Sequence, residues 1–513
     1  MDSISTPVAC LNCREKHLKC DGNTDGCVRC MSLSQPCYFI PSRRGRKTRP
    51  GPLPSRPVDV PGNSSSPGLV YASIPTTIDM DDSANLSLNI VAPPSPQQQA
   101  NLHLTSLYYS HFHGAHPFLP SMPVFLQSTP PKYLIEAVEV VGSQYIATHI
   151  CRDRVDSLIS STDESNLSVE KVQAYLLLSV FSHGHQDPDK ARACITRAVH
   201  GSLELGMHRR EFSDAIGIEN AVRAESVRRT WWEIFVVETT LAAMQVNGCI
   251  QFNMIENSDV PLPCEEDEYT DSRVDRPQNT LHNLQAEFLP HNDGEFSSLA
   301  YRIDAAGMLR NSLIMAEVPS SQHELDLLDT SIIAWYHRIP RPKRSIIGNT
   351  GEVDQVLFQA HMLMHCASIY LHYPKSYLLA FLPSAREIFC PRFPTLSTSS
   401  ANPEIHTAKV VSGAIGLSKL AALSTSVINH SPFVACTLVL SSVIQLAVLS
   451  VDWLPPFGAD TRFLSLNVGV LNSLGDAWPI AGNSMMRIRE MTREVQTSRA
   501  AEDSIVPLDT LVV

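Results

Sequence analysis

Three kinds of motif are missing from this 513-residue sequence. It has no G-x-x-x-x-G-K-[ST] loop, no G-x-G-x-x-G opening a helix after a strand, and no G-x-S-x-G. The phosphate cradles of nucleotide-using enzymes and the strained nucleophile turn of the α/β-hydrolases are thereby excluded. The opening residues, MDSISTPVAC, have neither a basic start nor an apolar run, so no secretory signal is read there. A reducing compartment is expected, and a disulfide framework is not. Past residue 37 no two cysteines stand close together: Cys151, Cys194, Cys249, Cys264, Cys366, Cys390 and Cys436 are scattered. They are expected to be reduced, buried core thiols.

Charge is sparse, at 18 % of residues, whereas 43 % are hydrophobic, ample for a folded body. The length points to several units rather than one core. The net charge of −12 hides an asymmetry. Residues 1–49 hold nine Lys/Arg against four Asp/Glu, and the remainder holds 31 against 48. A basic head on an acidic body is the arrangement of a nucleic-acid binder whose body is repelled by phosphate.

The head contains six cysteines, Cys10, Cys13, Cys20, Cys27, Cys30 and Cys37, spaced C-x2-C-x6-C-x6-C-x2-C-x6-C. One unit, C-x2-C-x6-C, is written twice with an offset of 17 residues. Zinc takes four tetrahedral ligands, so two separate ions would need more thiolates than six. Two bridging sulfurs make the set sufficient, and the symmetry of the repeat assigns that role to Cys10 and Cys27. One zinc then takes Cys10, Cys13, Cys20 and Cys27; the other takes Cys10, Cys27, Cys30 and Cys37. Six shared thiolates leave no open coordination position, which argues against a catalytic zinc.

This segment resembles the fungal Zn2Cys6 binuclear cluster, the DNA-binding module of a large class of fungal transcription factors. The resemblance covers all six cysteines, the basic stretch Arg14-Glu15-Lys16-His17-Leu18-Lys19, and the basic run after the cluster. It implies two zinc ions in one cluster and a short helix lying in the major groove of double-stranded DNA. It also implies base contacts from Lys16 and His17, usually to a CGG triplet, and phosphate contacts from Arg14 and Lys19. Two departures stand out. His17 occupies a position where lysine or arginine is more usual, and it is mostly neutral at pH 7. Asp25-Gly26 replaces a common proline before the fourth cysteine and makes the turn through glycine instead.

After the cluster, Arg43, Arg44, Arg46, Lys47 and Arg49 form a basic run that serves as a nuclear import signal, a DNA-backbone arm, or both. Residues 41–99 hold eleven prolines and are expected to be a disordered linker. No apolar heptad is sustained there, so the pattern leaves monomer and homodimer both open. Ile78-Asp79-Met80-Asp81-Asp82 is a small acidic-hydrophobic patch of the kind that meets coactivators, and plain linker accounts for it equally.

Helical periodicity returns near residue 100. Helices are expected over Val172–Phe181 and Ala191–Leu205, followed by the turn Leu205-Gly206-Met207-His208-Arg209 and a helix containing Arg228-Arg229-Thr230-Trp231-Trp232. This block looks like the fungal-specific transcription factor homology region, an all-helical regulatory domain. One of the two indoles is expected in the core and the other at a helix junction, with Arg228 or Arg229 bonding nearby carbonyls. Glu265-Glu266-Asp267-Glu268 reads as a solvated acidic loop. His111, His113 and His116 mimic a metal motif without a completing carboxylate, and His361 and His365 lack the glutamate of a zinc-peptidase helix. Phe433–Val451 is long enough to cross a bilayer, yet its Ser, Thr and Gln residues and uncharged flanks favour a helix buried in an all-α body.

The expected architecture is a small binuclear zinc-cluster domain (8–40) joined by a disordered linker (41–99) to a large all-α regulatory domain (100–498), with a flexible tail (499–513). The expected function is that of a nuclear, sequence-specific DNA-binding transcription factor and not an enzyme. Its partners are DNA and the transcription machinery or coactivators, without a membrane. The resemblance further implies control of a metabolic pathway, a secondary-metabolite gene cluster among the options.

Overall fold

Turn chemistry and apolar spacing write most of the helices of this chain into the sequence. The computed structural model describes residues 19–20, 28–32, 96–146, 152–245, 247–254, 258–271, 273–274, 279–286, 296–318, 321–348, 351–381, 390–391, 400, 402–423, 426–450 and 460–504. The chain divides into two units, Met1–Asn89 and Ile90–Val513. In the first, the described residues include one short helix, α1 (Val28–Ser32). The expected linker and its acidic patch lie outside the described residues up to residue 95.

The second unit opens with α2 (Pro96–Leu107), which passes into a π-helical turn over Tyr108–Phe112 and a 3-10 turn over His113–Ala115. Helices α3 (Met122–Gln127), α4 (Lys132–Gly142) and α5 (Arg152–Asp163) follow. Next come α6 (Val169–Gly184), α7 (Pro188–Leu205), α8 (Arg210–Gly217) and the long α9 (Ala221–Met244). Two short helices, α10 (Glu266–Thr270) and α11 (Leu281–Ala286), precede α12 (Ser298–Glu317), α13 (Gln322–Arg338) and α14 (Gln355–His372). The remainder is α15 (Pro403–Ala421), α16 (Phe433–Leu449), α17 (Thr461–Leu474) and α18 (Pro479–Ser504). Among the described residues there is no strand, only a bridge between Ile347 and Val353.

The α6–α7 hairpin shows how locally the boundaries are set. Asp187 caps α7 by accepting the Lys190 amide at 3.1 Å, with Pro188 at the first helical position. At the far end Gly206 has φ of 82°, the Gly206 amide donates to the Leu203 carbonyl, and the Met207 amide donates to the Ser202 carbonyl. That is a Schellman motif, and it explains the Leu-Gly-Met turn, since only glycine enters this conformation without strain. Gly184 serves differently: a Cβ there would come within 2.4 Å of the Trp478 ring.

Helices α12 and α14 pack along one another, and α15, α16 and α18 extend the layer in succession. Every residue of α16 from Phe433 to Val448 is buried. No helix among the described residues is long and apolar enough to cross a membrane. The polar residues that interrupt its apolar run join neighbours. Ser441 donates to the Ala414 carbonyl (2.8 Å), Gln445 donates to Ser418 (3.0 Å), and Asn467 donates to Ser442 (3.0 Å). Hydrogen bonds satisfied inside an apolar layer fix which helices meet and in what register.

Two boundaries differ from expectation. Helix α2 begins at Pro96, inside the span assigned to the linker, because proline is preset for a first helical turn. Helix α18 continues past residue 498 to Ser504, since Ser-Arg-Ala-Ala-Glu extends a helix already nucleated. Residues 505–513 lie outside the described residues.

Candidate functional site

Of the six cysteines, the structure describes Cys20 and Cys30. Cys10, Cys13, Cys27 and Cys37 lie outside the described residues, as do Arg14, Lys16, His17 and the basic run Arg43, Arg44, Arg46, Lys47 and Arg49. Lys19 is exposed and Cys20 half-buried. On α1, Cys30 is 3 % exposed while Val28, Arg29 and Ser32 face outward. Among Val28, Arg29, Cys30 and Ser32 the buried group is thus the thiol. A sulfur turned inward from a helix that opens inside the second C-x2-C fits a zinc ligand. The offset of 17 residues carries Arg14–Lys19 onto positions 31–36, so the repeat does not mark the start of α1 at Val28.

In the body, the fungal homology block centres on a buried column of charge along α9. Glu225 is fully buried and accepts from Arg228 and Arg229, each at 2.9 Å. Arg229, 1 % exposed, also donates to the carbonyls of Pro117 and Cys264, both at 3.0 Å, and pairs with Glu266. Its guanidinium lies 4.0 Å from the centre of the Tyr269 ring. Two turns on, Glu233 holds His116 Nδ1 at 2.7 Å and pairs with Arg302 of α12. Arg302 donates in turn to the Ala115 carbonyl at 2.9 Å. Farther along, Arg310 meets Glu238 at 3.2 Å, and Arg338 of α13 meets Asp304 at 2.9 Å.

Burial raises the pKa of Glu225, but Arg229 and Arg228 outweigh it and hold the carboxyl below its ordinary range. For Glu233, Arg302 and His116 outweigh burial in the same way. At Glu238 and Asp304 burial prevails over Arg310 and Arg338 respectively, and the pKa rises. The column therefore favours the ionised carboxyl more at the His113–Leu119 turn than at its far end. It can clamp α9, α12, that turn and the Cys264–Thr270 segment together. Substituting one partner of such a pair typically costs about 3–5 kcal/mol, because the other is left buried and unpaired.

Several expectations meet this geometry directly. Trp231 and Trp232 are both buried, and their indoles donate to Ser258 Oγ and the Pro261 carbonyl, each at 3.0 Å. Arg229 bonds carbonyls as expected, whereas Arg228 is taken by Glu225. The acidic segment is not a plain solvated loop: Glu266 binds Arg229, Glu265 binds Lys343, and the segment forms α10. The three neighbouring histidines part ways. His111 meets Asn429 at 2.8 Å, His113 faces Glu266 at 3.7 Å, and His116 meets Glu233 and Ser431. His361 and His365 are pushed down to about 4 by burial and pack beside Trp335 and Tyr336. Among the described residues no group of three or more His, Cys, Asp or Glu side chains is placed to hold a metal. The carboxylates of the column carry a signal that was missed: Glu225, Arg229 and Glu233 are four residues apart on one face of a helix whose buried faces are rich in Trp, Phe, Ile and Val.

The chain matches two family models. Residues 8–47 match the fungal Zn(2)-Cys(6) binuclear cluster domain, and residues 105–324 match the fungal specific transcription factor domain. The chain belongs to the fungal Zn2Cys6 transcription factors. The second match contains the charged column from His116 to Arg310, with Arg338 beyond its end. The chain is also similar to the C6 finger domain transcription factor iacK of Pestalotiopsis fici, 28 % identical over 97 % of this chain and 82 % of that protein. No solved structure matches it. The protein is thus a DNA-binding transcription factor, not an enzyme, and its head is a cluster of two zinc ions.

Proposed function

We propose that this factor reads CGG-like triplets through Lys16 and His17, with Arg14 and Lys19 holding flanking phosphates. Cys10 and Cys27 bridge the two ions, and Cys13, Cys20, Cys30 and Cys37 complete them. Lysine donates to guanine O6 and N7, and neutral His17 offers one donor and one acceptor, so the base preference at its position is its own. Arg43, Arg44, Arg46, Lys47 and Arg49 carry the chain into the nucleus or along the DNA backbone. The zinc ions close the fold and supply no open position for chemistry.

The inward thiol of Cys30, on a helix from which Val28, Arg29 and Ser32 face outward, supports this reading most directly. Binding of the purified full chain to duplexes carrying CGG or a scrambled triplet, with and without a chelator, tests it. Binding lost with metal and weakened by scrambling is expected; binding indifferent to both overturns it. We further propose that the factor works in the nucleus as a pathway-specific regulator of metabolic genes, a secondary-metabolite cluster among them. Homodimerisation and recruitment of coactivators belong to the same proposal. The resemblance to the family supports this last step, and a genome-wide binding profile tests it.

A further inference from the structure

A cavity of about 500 Å³ opens between the α3–α4 turn and the first turns of α6 and α9. This is within the usual size of a small-molecule site. Its walls divide about evenly between polar and apolar surface, with Phe125, Leu134, Val222 and Val227 on the apolar side. The ionisable side chains lining it are Glu170 and Arg223, which pair with each other at 3.1 Å, so the cavity presents no net charge.

One polar group in this lining is unanswered. Gln173 is only 4 % exposed, and its amide nitrogen donates to Ser226 Oγ at 3.1 Å and Thr230 Oγ1 at 3.0 Å. Both hydroxyls have committed their own hydrogens: Ser226 donates to the Phe118 carbonyl (2.8 Å) and Thr230 to the Ser226 carbonyl (2.7 Å). They can only accept from Gln173, so the amide cannot be turned over. Its carboxamide oxygen is left without a donor among the described residues, in a side chain that lines the cavity. An acceptor that the protein leaves open to a roomy cavity can take a hydrogen from an occupant, and the aliphatic and aromatic part of the lining offers that occupant an apolar wall.

We propose that this cavity binds a neutral small molecule with an apolar ring body and a hydroxyl donor for the Gln173 carboxamide oxygen, a phenol in the simplest form. Through Ser226 the bound hydroxyl would join a hydrogen-bond chain reaching the Phe118 carbonyl, in the turn that the charged column of α9 holds.

Calorimetric titration of the full-length, zinc-loaded protein with 2-naphthol and with 2-methoxynaphthalene tests this. The two share a ring body, and only the first has a donor. We expect 2-naphthol to bind at least tenfold more tightly, and Gln173→Met to abolish the difference. Val222→Trp, which fills the cavity from a half-buried wall position and leaves Gln173 in place, should weaken 2-naphthol at least tenfold while the far-UV helical signal stays unchanged. Equal affinity for the two compounds, no binding of 2-naphthol, or binding untouched by Val222→Trp in the folded variant overturns the proposal. None of these measurements involves DNA, so their outcome is separate from that of the triplet assignment.

Discussion

Cys30 and Cys366 are both buried thiols, and they are buried for opposite reasons. Cys366 sits on α14 in the thick of the apolar core, where burial drives its pKa up and keeps it a neutral, small hydrophobe. Cys30 sits on a five-residue helix from which Val28, Arg29 and Ser32 face outward. On that helix Val28 is 67 % exposed while the thiol is buried, the disposition that suits a metal ligand. The head is held by coordination and the body by apolar surface, with buried ion pairs setting which helices meet. The same contrast separates their cations: Arg229 in the body spends its donors inward on Glu225 and three carbonyls, whereas Lys19 in the head is exposed.

The strongest test of this contrast is metal removal. Structural zinc supplies about 10–16 kcal/mol in small zinc domains, so a chelator should unfold the head and abolish DNA binding. The helical circular dichroism of the body should stay intact; its collapse on chelation would mean that the two units are not stabilised independently. Cys20→Ser should act in the same direction, with zinc content by mass spectrometry falling below two ions per chain.

Next in size is the charged column. Glu233→Gln leaves Arg302 buried without its carboxylate and should cost the body about 3–5 kcal/mol in urea unfolding, with the zinc content unchanged. A loss under about 1 kcal/mol would show that the column adds little to holding α9 against α12. In the head, Lys16→Ala should cost about 1–3 kcal/mol on the preferred triplet and relax base preference, read by selection from random duplexes. Arg14→Ala should instead weaken all duplexes alike and reduce the salt slope by about 1.

A pH titration separates the units again. Burial holds His361 and His365 at about 4, below the value of about 6.5 in an unfolded chain. Between these values the unfolded chain binds more protons, so stability is full above about pH 6.5 and falls as the pH drops toward 4. His361→Leu should flatten that descent in thermal melts of the body. The smallest expected effect belongs to a turn: Gly206→Ala places a Cβ at φ of 82° and should lower stability by about 1 kcal/mol.

The cysteine count and spacing alone determined the chemistry of the head, because a tetrahedral ion demands four ligands and sulfur can be shared. Asp187-Pro188 and Gly206 likewise marked the ends of α7, since caps and left-handed turns are local and need no distant partner. The core helix over Phe433–Leu449 was also readable, because a segment apolar on every side must be surrounded. Tertiary structure alone decided the partners. That Glu233 of α9 joins His116 to Arg302, that Glu266 leaves the solvent for Arg229, and that Ser441 and Gln445 tie α15 to α16 all depend on residues far apart in the chain. An ion pair or hydrogen bond inside a core has its meaning only from what stands opposite, and the order of residues along a helix does not say what that is.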